Sequence, residues 1–377
     1  MPTPTPILPD FIAQSTTRRG FLSRASTLLA AVPIAEAALA ACTPSKPDRS
    51  QASATPDTAT SSATHLQNPD SRLDTSLHAG NAPPTSGAVA PAATPADIPF
   101  HRYDPTLPPL SAGRTKHIAM TIREAPVRIN ADTVVAGWTF DGTIPGPIVH
   151  VRQGDTVEFT LTNNGSIPHS MDFHASQIDP KTAFRSALPG HSISYTFTPR
   201  YAGAFLYHCG TAPVLMHIGS GMFGAIIVDP PTPLAPAREF VLIQNEFYLA
   251  RPQSGIAAFD YNKMLSTQPD YVAFNGGPGQ YQIEPIRVRR HERVRFYVVS
   301  AGPTHSCAFH VVGQQFDTVY LGAPPGNAIH GVQTFDVAAG GGMVFELQVD
   351  VAGEFPFVNH AFGHGQKGAI GVLVVEA

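Results

Sequence analysis

The sequence predicts an all-β protein: two tandem β-sandwich domains behind an export leader and a flexible tether. Three observations predict it. Pro 37 and Gly 32 are high for 377 residues, and long helical periodicities are scarce, which favours a turn-rich β chain. Stretches such as Thr156-Val157-Glu158-Phe159-Thr160-Leu161 alternate with the period of a half-buried strand. The chain also repeats itself: VRQGDTVEFTLTNNGSIPHSMDFH from Val151 to His174 is matched by VRRHERVRFYVVSAGPTHSCAFH from Val288 to His310.

The first 42 residues read as the leader. Paired Arg18 and Arg19 precede an Ala/Leu-rich run ending Leu39-Ala40-Ala41-Cys42, the order of charge, apolar stretch and small residues in an export signal. Pro33 and Glu36 interrupt the run and make it a poor membrane span. The twin arginines resemble a twin-arginine signal, and Leu-Ala-Ala-Cys resembles a lipoprotein processing box. Cys42 would then be the lipidated first residue of the mature protein; ordinary cleavage near Ala41 is the alternative. The expected location is the periplasm or cell envelope. Residues 43–97 are dominated by Ala, Pro, Thr, Ser and Asp and cannot bury enough surface to offset ordering, so they read as a tether.

The first domain is expected over 98–232 and the second over 233–377, with the boundary in the proline-rich DPPTPLAPAR of 229–238. Beyond the first matching stretch, AGAFLYHC corresponds to AGEFPFVNH, and each copy closes on Gly-Ala-Ile and a β-branched run. A net charge of −4 with 43% hydrophobic residues allows a substantial core and gives no basic footprint for nucleic acid. Sixteen histidines among so few charged residues motivate a search for metal ligands.

In the first copy Cys209, His217 and Met222 follow C-x7-H-x4-M, and His169 lies upstream on a loop. Two imidazoles, a thiolate and a weak thioether define the trigonal copper site used for electron transfer. Met216, beside His217, would face the other way on extended chain. His208 immediately precedes Cys209, so on a strand it faces away and is free for a second metal. His174 stands apart from His169 and can join it, and His360 in FVNHAFGH is the best third candidate.

HSMDFH, YHC, HIGSGMFG, FHVVG and FVNH together resemble the copper-containing nitrite reductases, over about residues 100–377. The resemblance implies two cupredoxin-like Greek-key sandwiches per subunit, two coppers per subunit, and a homotrimer. It assigns His169, Cys209, His217 and Met222 to a type 1 copper. His174, His208 and His360 fall to a type 2 copper, with His360 crossing a subunit interface. Asp172 and His310 become the catalytic acid–base pair that protonates nitrite. The electron would come from a small donor such as a cupredoxin or a c-type cytochrome. His305 repeats the position of His169, and His364 stands close to His360, so both are rival ligands. Cys307 reads as a buried inert thiol.

Two other functions fit parts of the pattern. A laccase-like oxidase needs paired H-x-H ligands, but Gly210 follows Cys209 and no H-x-H occurs in the second copy. A non-catalytic copper electron carrier leaves Asp172, His174, His310 and His360 unexplained as a group.

Overall fold

The computed structural model describes residues 94–183 and 185–377. The expected leader, with Cys42, and all of the expected tether before residue 94 lie outside the described residues.

The first half contributes β1 (Thr115–Arg128), β2 (Val134–Phe140), β3 (Val149–Arg152) and β4 (Thr156–Asn163). It continues with β5 (Asp172–Phe173), β6 (Ser192–Phe197), β7 (Gly203–His208) and β8 (Phe223–Asp229). No strand occupies 230–237; Arg295 holds that segment by donating to the Ala235 carbonyl at 2.7 Å. The second half opens with β9 (Arg238–Phe247), β10 (Ile256–Ala257), β11 (Tyr271–Phe274) and β12 (Ile286–Arg289). After them come β13 (Arg293–Gly302), β14 (Cys307–Val311), β15 (Phe316–Tyr320) and β16 (Ala328–Val332). The last are β17 (Thr334–Val337), β18 (Gly342–Gln348), β19 (Gly353–Asn359) and β20 (Ile370–Glu376).

These strands form four sheets, ordered β10-β2-β1-β4-β6, β3-β8-β7-β5, β11-β9-β13-β18-β15-β16 and β12-β20-β19-β14-β17. The internal repeat is visible in the pairing. β3 runs parallel to β8, which is antiparallel to β7; in the second half β12 is parallel to β20, which is antiparallel to β19. β1 beside β4 and β9 beside β13 are likewise both parallel. The fold is all-β, as expected, with cupredoxin-like sandwiches.

Alternation decides how the sheets stack. In β8, Phe223, Ala225 and Ile227 enter one apolar cluster while Ile226 and Val228 enter another, so the strand is apolar up to its last residue, Asp229. β13 does the same: Tyr297, Val299 and Ala301 face one side, and Val294, Phe296 and Val298 the other. The cluster between them is shared by both halves, with Leu206 of β7 packed in the same layer as Val241 and Ile243 of β9. β18 approaches β7 so closely that a Cβ at Gly342 would lie 2.2 Å from the Ala204 carbonyl oxygen, which only glycine permits.

β7 is therefore held on both faces, and its own alternation is enforced. Leu206 faces the second half, Tyr207 the first-half core, and Cys209 joins that same core just beyond the strand end. Leu206→Ala should lower stability by about 2–5 kcal/mol through lost burial and a residual cavity. Denaturant unfolding of the metal-free protein measures it.

Candidate metal centre

The end of β7, α1 (Val214–Gly219) and the loop before β5 bring the first ligand set together. Cys209 Sγ lies 3.2 Å from His217 Nδ1 and 3.9 Å from His169 Nδ1, and the two nitrogens are 3.0 Å apart. Backbone bonds lock the frame: Cys209 N–H donates to the Met222 carbonyl at 3.1 Å, and Met222 N–H to that of His217 at 3.2 Å. Ser170 N–H points at Cys209 Sγ from 3.3 Å. Met222 is wholly buried, in the same apolar cluster as Cys209.

Burial sets the charges. Desolvation, with the neighbouring His217, lowers His169 to about 3, and desolvation lowers His217 to about 4. Burial raises the Cys209 thiol above its ordinary value. The metal-free site is thus two neutral imidazoles and a thiol, with ring nitrogens crowded together and no carboxylate in the cluster. His169 Nε2 is buried without a partner. Convergent lone pairs of soft and borderline donors fit a soft metal, with the thiol losing its proton on binding.

The second set lies on the opposite face of the same strand end. His208 Nε2 is 3.0 Å from His174 Nε2, and Asp172 Oδ2 stands 3.7 and 3.9 Å from the two. β5 places Asp172 directly opposite His208. His208 Nδ1–H donates to the Cys209 carbonyl at 2.9 Å, which leaves Nε2 bare for a ligand. His174 N–H donates to the Leu206 carbonyl at 3.0 Å, and its ring bonds the Gly340 backbone, just before β18. Burial raises Asp172 above its ordinary value; burial and His208 lower His174.

Among the described residues no third imidazole joins this pair within 4.8 Å. His360 sits elsewhere in the chain, its ring 5.3 Å from that of His310. His310 Nδ1–H donates to the Gln333 carbonyl at 2.6 Å, leaving its Nε2 bare. His305 and His364 form a separate pair with rings 4.6 Å apart.

A solved structure, the copper nitrite reductase of Nitrosomonas europaea, is 38% identical, superposes with a TM-score of 0.65, and is covered over 94% of its length by 69% of this chain. The chain belongs to the copper-containing nitrite reductase family. The copper-containing nitrite reductase of Neisseria meningitidis is 40% identical over 248 residues, 63% of this chain and 64% of that protein. The chain therefore spans a little under two thirds of the length of the Neisseria relatives it matches. The multicopper oxidase family profile matches residues 121–233. A Thermus scotoductus copper-containing nitrite reductase structure is 29% identical with a TM-score of 0.64, covering 70% of this chain and 62% of that one.

Within this family member, Met216 is excluded for a different reason than extended-chain alternation. It and His217 lie on α1, where neighbouring side chains diverge by helical rotation. The repeat position of His305 is also corrected. β5 pairs Asp172 with His208, whereas β14 pairs His310 with Val358, the residue equivalent to His208. His310 thus stands where Asp172 does, and Cys307 where His169 does. The Cys307 thiol is buried in the second-half core, which pushes its pKa far up.

Sequence reasoning missed three contributors. Trp138, the only tryptophan, sets its ring against His169 and His217 at 5.6 and 4.9 Å between centroids. Ser170 supports the sulfur, and Gly340 orients His174. Only the uniqueness of Trp138 was a usable signal.

The lowered imidazoles carry a stability consequence. Below about pH 6.5 the unfolded chain's histidines take up protons that folded His169 and His217 refuse until about 4 and below. The melting midpoint of metal-free protein should therefore fall as pH drops from about 6.5 to 4. A His169→Gln, His217→Gln double variant should flatten that limb.

Proposed function

We propose that this chain catalyses the one-electron reduction of nitrite: nitrite, two protons and an electron give nitric oxide and water. The observation that carries this reading is the placement of two imidazole-rich ligand sets on opposite faces of one strand end, joined through the adjacent residues His208 and Cys209. The first set, His169, Cys209, His217 and Met222, is the type 1 set; His174 and His208 begin the type 2 set. Copper bound there supplies one-electron chemistry and a positive centre that attracts an anion.

The chain's own groups do the rest. The His208–Cys209 link is the shortest covalent path between the sets. Asp172, raised by burial above its ordinary value, is the proton-handling carboxyl beside the His174–His208 pair. Its oxygen stands too far from either ring for a direct hydrogen bond and near enough for one through a bound molecule. His310 presents a bare Nε2 and is the second proton-handling group.

The type 2 set takes its third imidazole from His360 of a neighbouring copy, in a homotrimer. His310 travels with His360, so the same docking brings both to the Asp172 side. The donor is a small redox protein such as a cupredoxin or a c-type cytochrome. We place the protein in the periplasm or cell envelope, carried there by the leader and held by a lipid on Cys42. The oxidase reading lacks its ligands, because Gly210 stands where a second histidine would follow Cys209. The domains divide at 229–238, where no strand crosses 230–237.

Copper-loaded protein with a chemical reductant should release nitric oxide from nitrite. Asp172→Asn should cut that rate by about 10²-fold or more while leaving the visible thiolate–copper absorption unchanged. Release at the parent rate refutes the role of Asp172, and no release by the parent protein refutes the activity.

A further inference from the structure

The second half repeats the first-half ligand frame almost bond for bond, with the thiol and thioether donors replaced by Asn359 and Ala369. In the first half Cys209 N–H bonds the Met222 carbonyl and Met222 N–H that of His217. In the second, Asn359 N–H bonds the Ala369 carbonyl at 3.0 Å, and Ala369 N–H that of His364 at 3.1 Å. Asn359 thus stands in the place of Cys209, and His364 in the place of His217. α2 (Phe362–Gln366) carries His364 as α1 carries His217. The side-chain distances agree too. Cys209 Sγ is 3.2 Å from His217 Nδ1, and Asn359 Nδ2 is 3.1 Å from His364 Nδ1. Ser170 N–H reaches the sulfur at 3.3 Å, and Ala308 N–H reaches Asn359 Oδ1 at 3.3 Å.

A second imidazole is also present. His305 enters from two residues before the register position of His169, yet its ring lies 4.6 Å from His364, against 4.9 Å for His169 and His217. His305 Nε2–H donates to the Thr267 carbonyl at 3.1 Å, which leaves Nδ1 as the bare nitrogen. Nothing in the type 1 and type 2 sets uses His305, His364 or Asn359.

We propose that the second half carries a dormant soft-metal cradle, His305 and His364, held shut by the Asn359 carboxamide where the first half has a thiol. The carboxamide closes it in two ways. It lacks the negative, polarisable donor that soft metals select. Its Nδ2 also directs a hydrogen at His364 Nδ1, occupying the lone pair a metal needs. The same Nδ2 faces Gln244 Oε1 at 2.7 Å and the Ser306 carbonyl at 3.1 Å, so three acceptors surround two hydrogens. Its Oδ1 accepts from Ala308 and Ala361 N–H. One substitution at 359 opens the cradle.

The test uses the full chain with Cys209→Ser, which silences the first-half thiolate, and Co(II), which does not oxidise thiols. Adding Asn359→Cys should create an intense cobalt–thiolate absorption at one ion per chain, absent from the Cys209→Ser parent. His364→Ala or His305→Ala in that background should weaken binding at least tenfold. A folded Cys209→Ser, Asn359→Cys protein without the absorption overturns the proposal. So does an absorption that survives loss of both histidines. If the cysteine variant does not fold, Asn359→Asp in the same background should bind one more Zn(II) per chain than the parent in equilibrium dialysis. No increase overturns the proposal equally.

Discussion

Alternation along a single strand end governs this molecule. Successive side chains of extended backbone point to opposite faces, so Leu206 and Tyr207 enter different apolar layers, and His208 and Cys209 continue the same alternation. The sulfur enters the first-half core; the His208 imidazole turns to the opposite side, where His174 and Asp172 wait. Two chemically different donor sets become neighbours because the peptide geometry allows nothing else. A one-residue slip would exchange the faces and dismantle both sets.

Packing keeps that geometry still. β7 lies between two apolar layers, and the close approach of β18 at Gly342 leaves no room for it to shift. Burial then imposes the chemistry. It holds His169 and His217 neutral to well below neutral pH, raises the Cys209 thiol, and raises the Asp172 carboxyl above its ordinary value. The second half contributes more than a scaffold to the first: Gly340, from the turn before β18, steadies the His174 ring.

Much of this was legible in the amino-acid order. Period-two stretches marked the strands, and the spacing of Cys209, His217 and Met222 carried donor types that few structural roles would combine. The His208–Cys209 adjacency followed from strand geometry without any coordinates. What the order hid was register. The matching H-x4-H pairs suggested that His305 equals His169, but β-pairing is set by distant partners, and it puts Cys307 there and His310 opposite Val358. Met216 was misread for a related reason, since a six-residue helix with no side-chain cap leaves little local signal. Trp138, Ser170 and Gly340 act through contacts between segments far apart in sequence, which no local pattern encodes.

The central claim is that two separate metal centres flank the His208–Cys209 bond. Electron paramagnetic resonance of the fully copper-loaded chain tests it most directly. Two signals of equal weight are expected, with Cys209→Ser removing only the one tied to the visible absorption and His208→Ala removing only the other. A single signal, or two that disappear together with either substitution, contradicts the account.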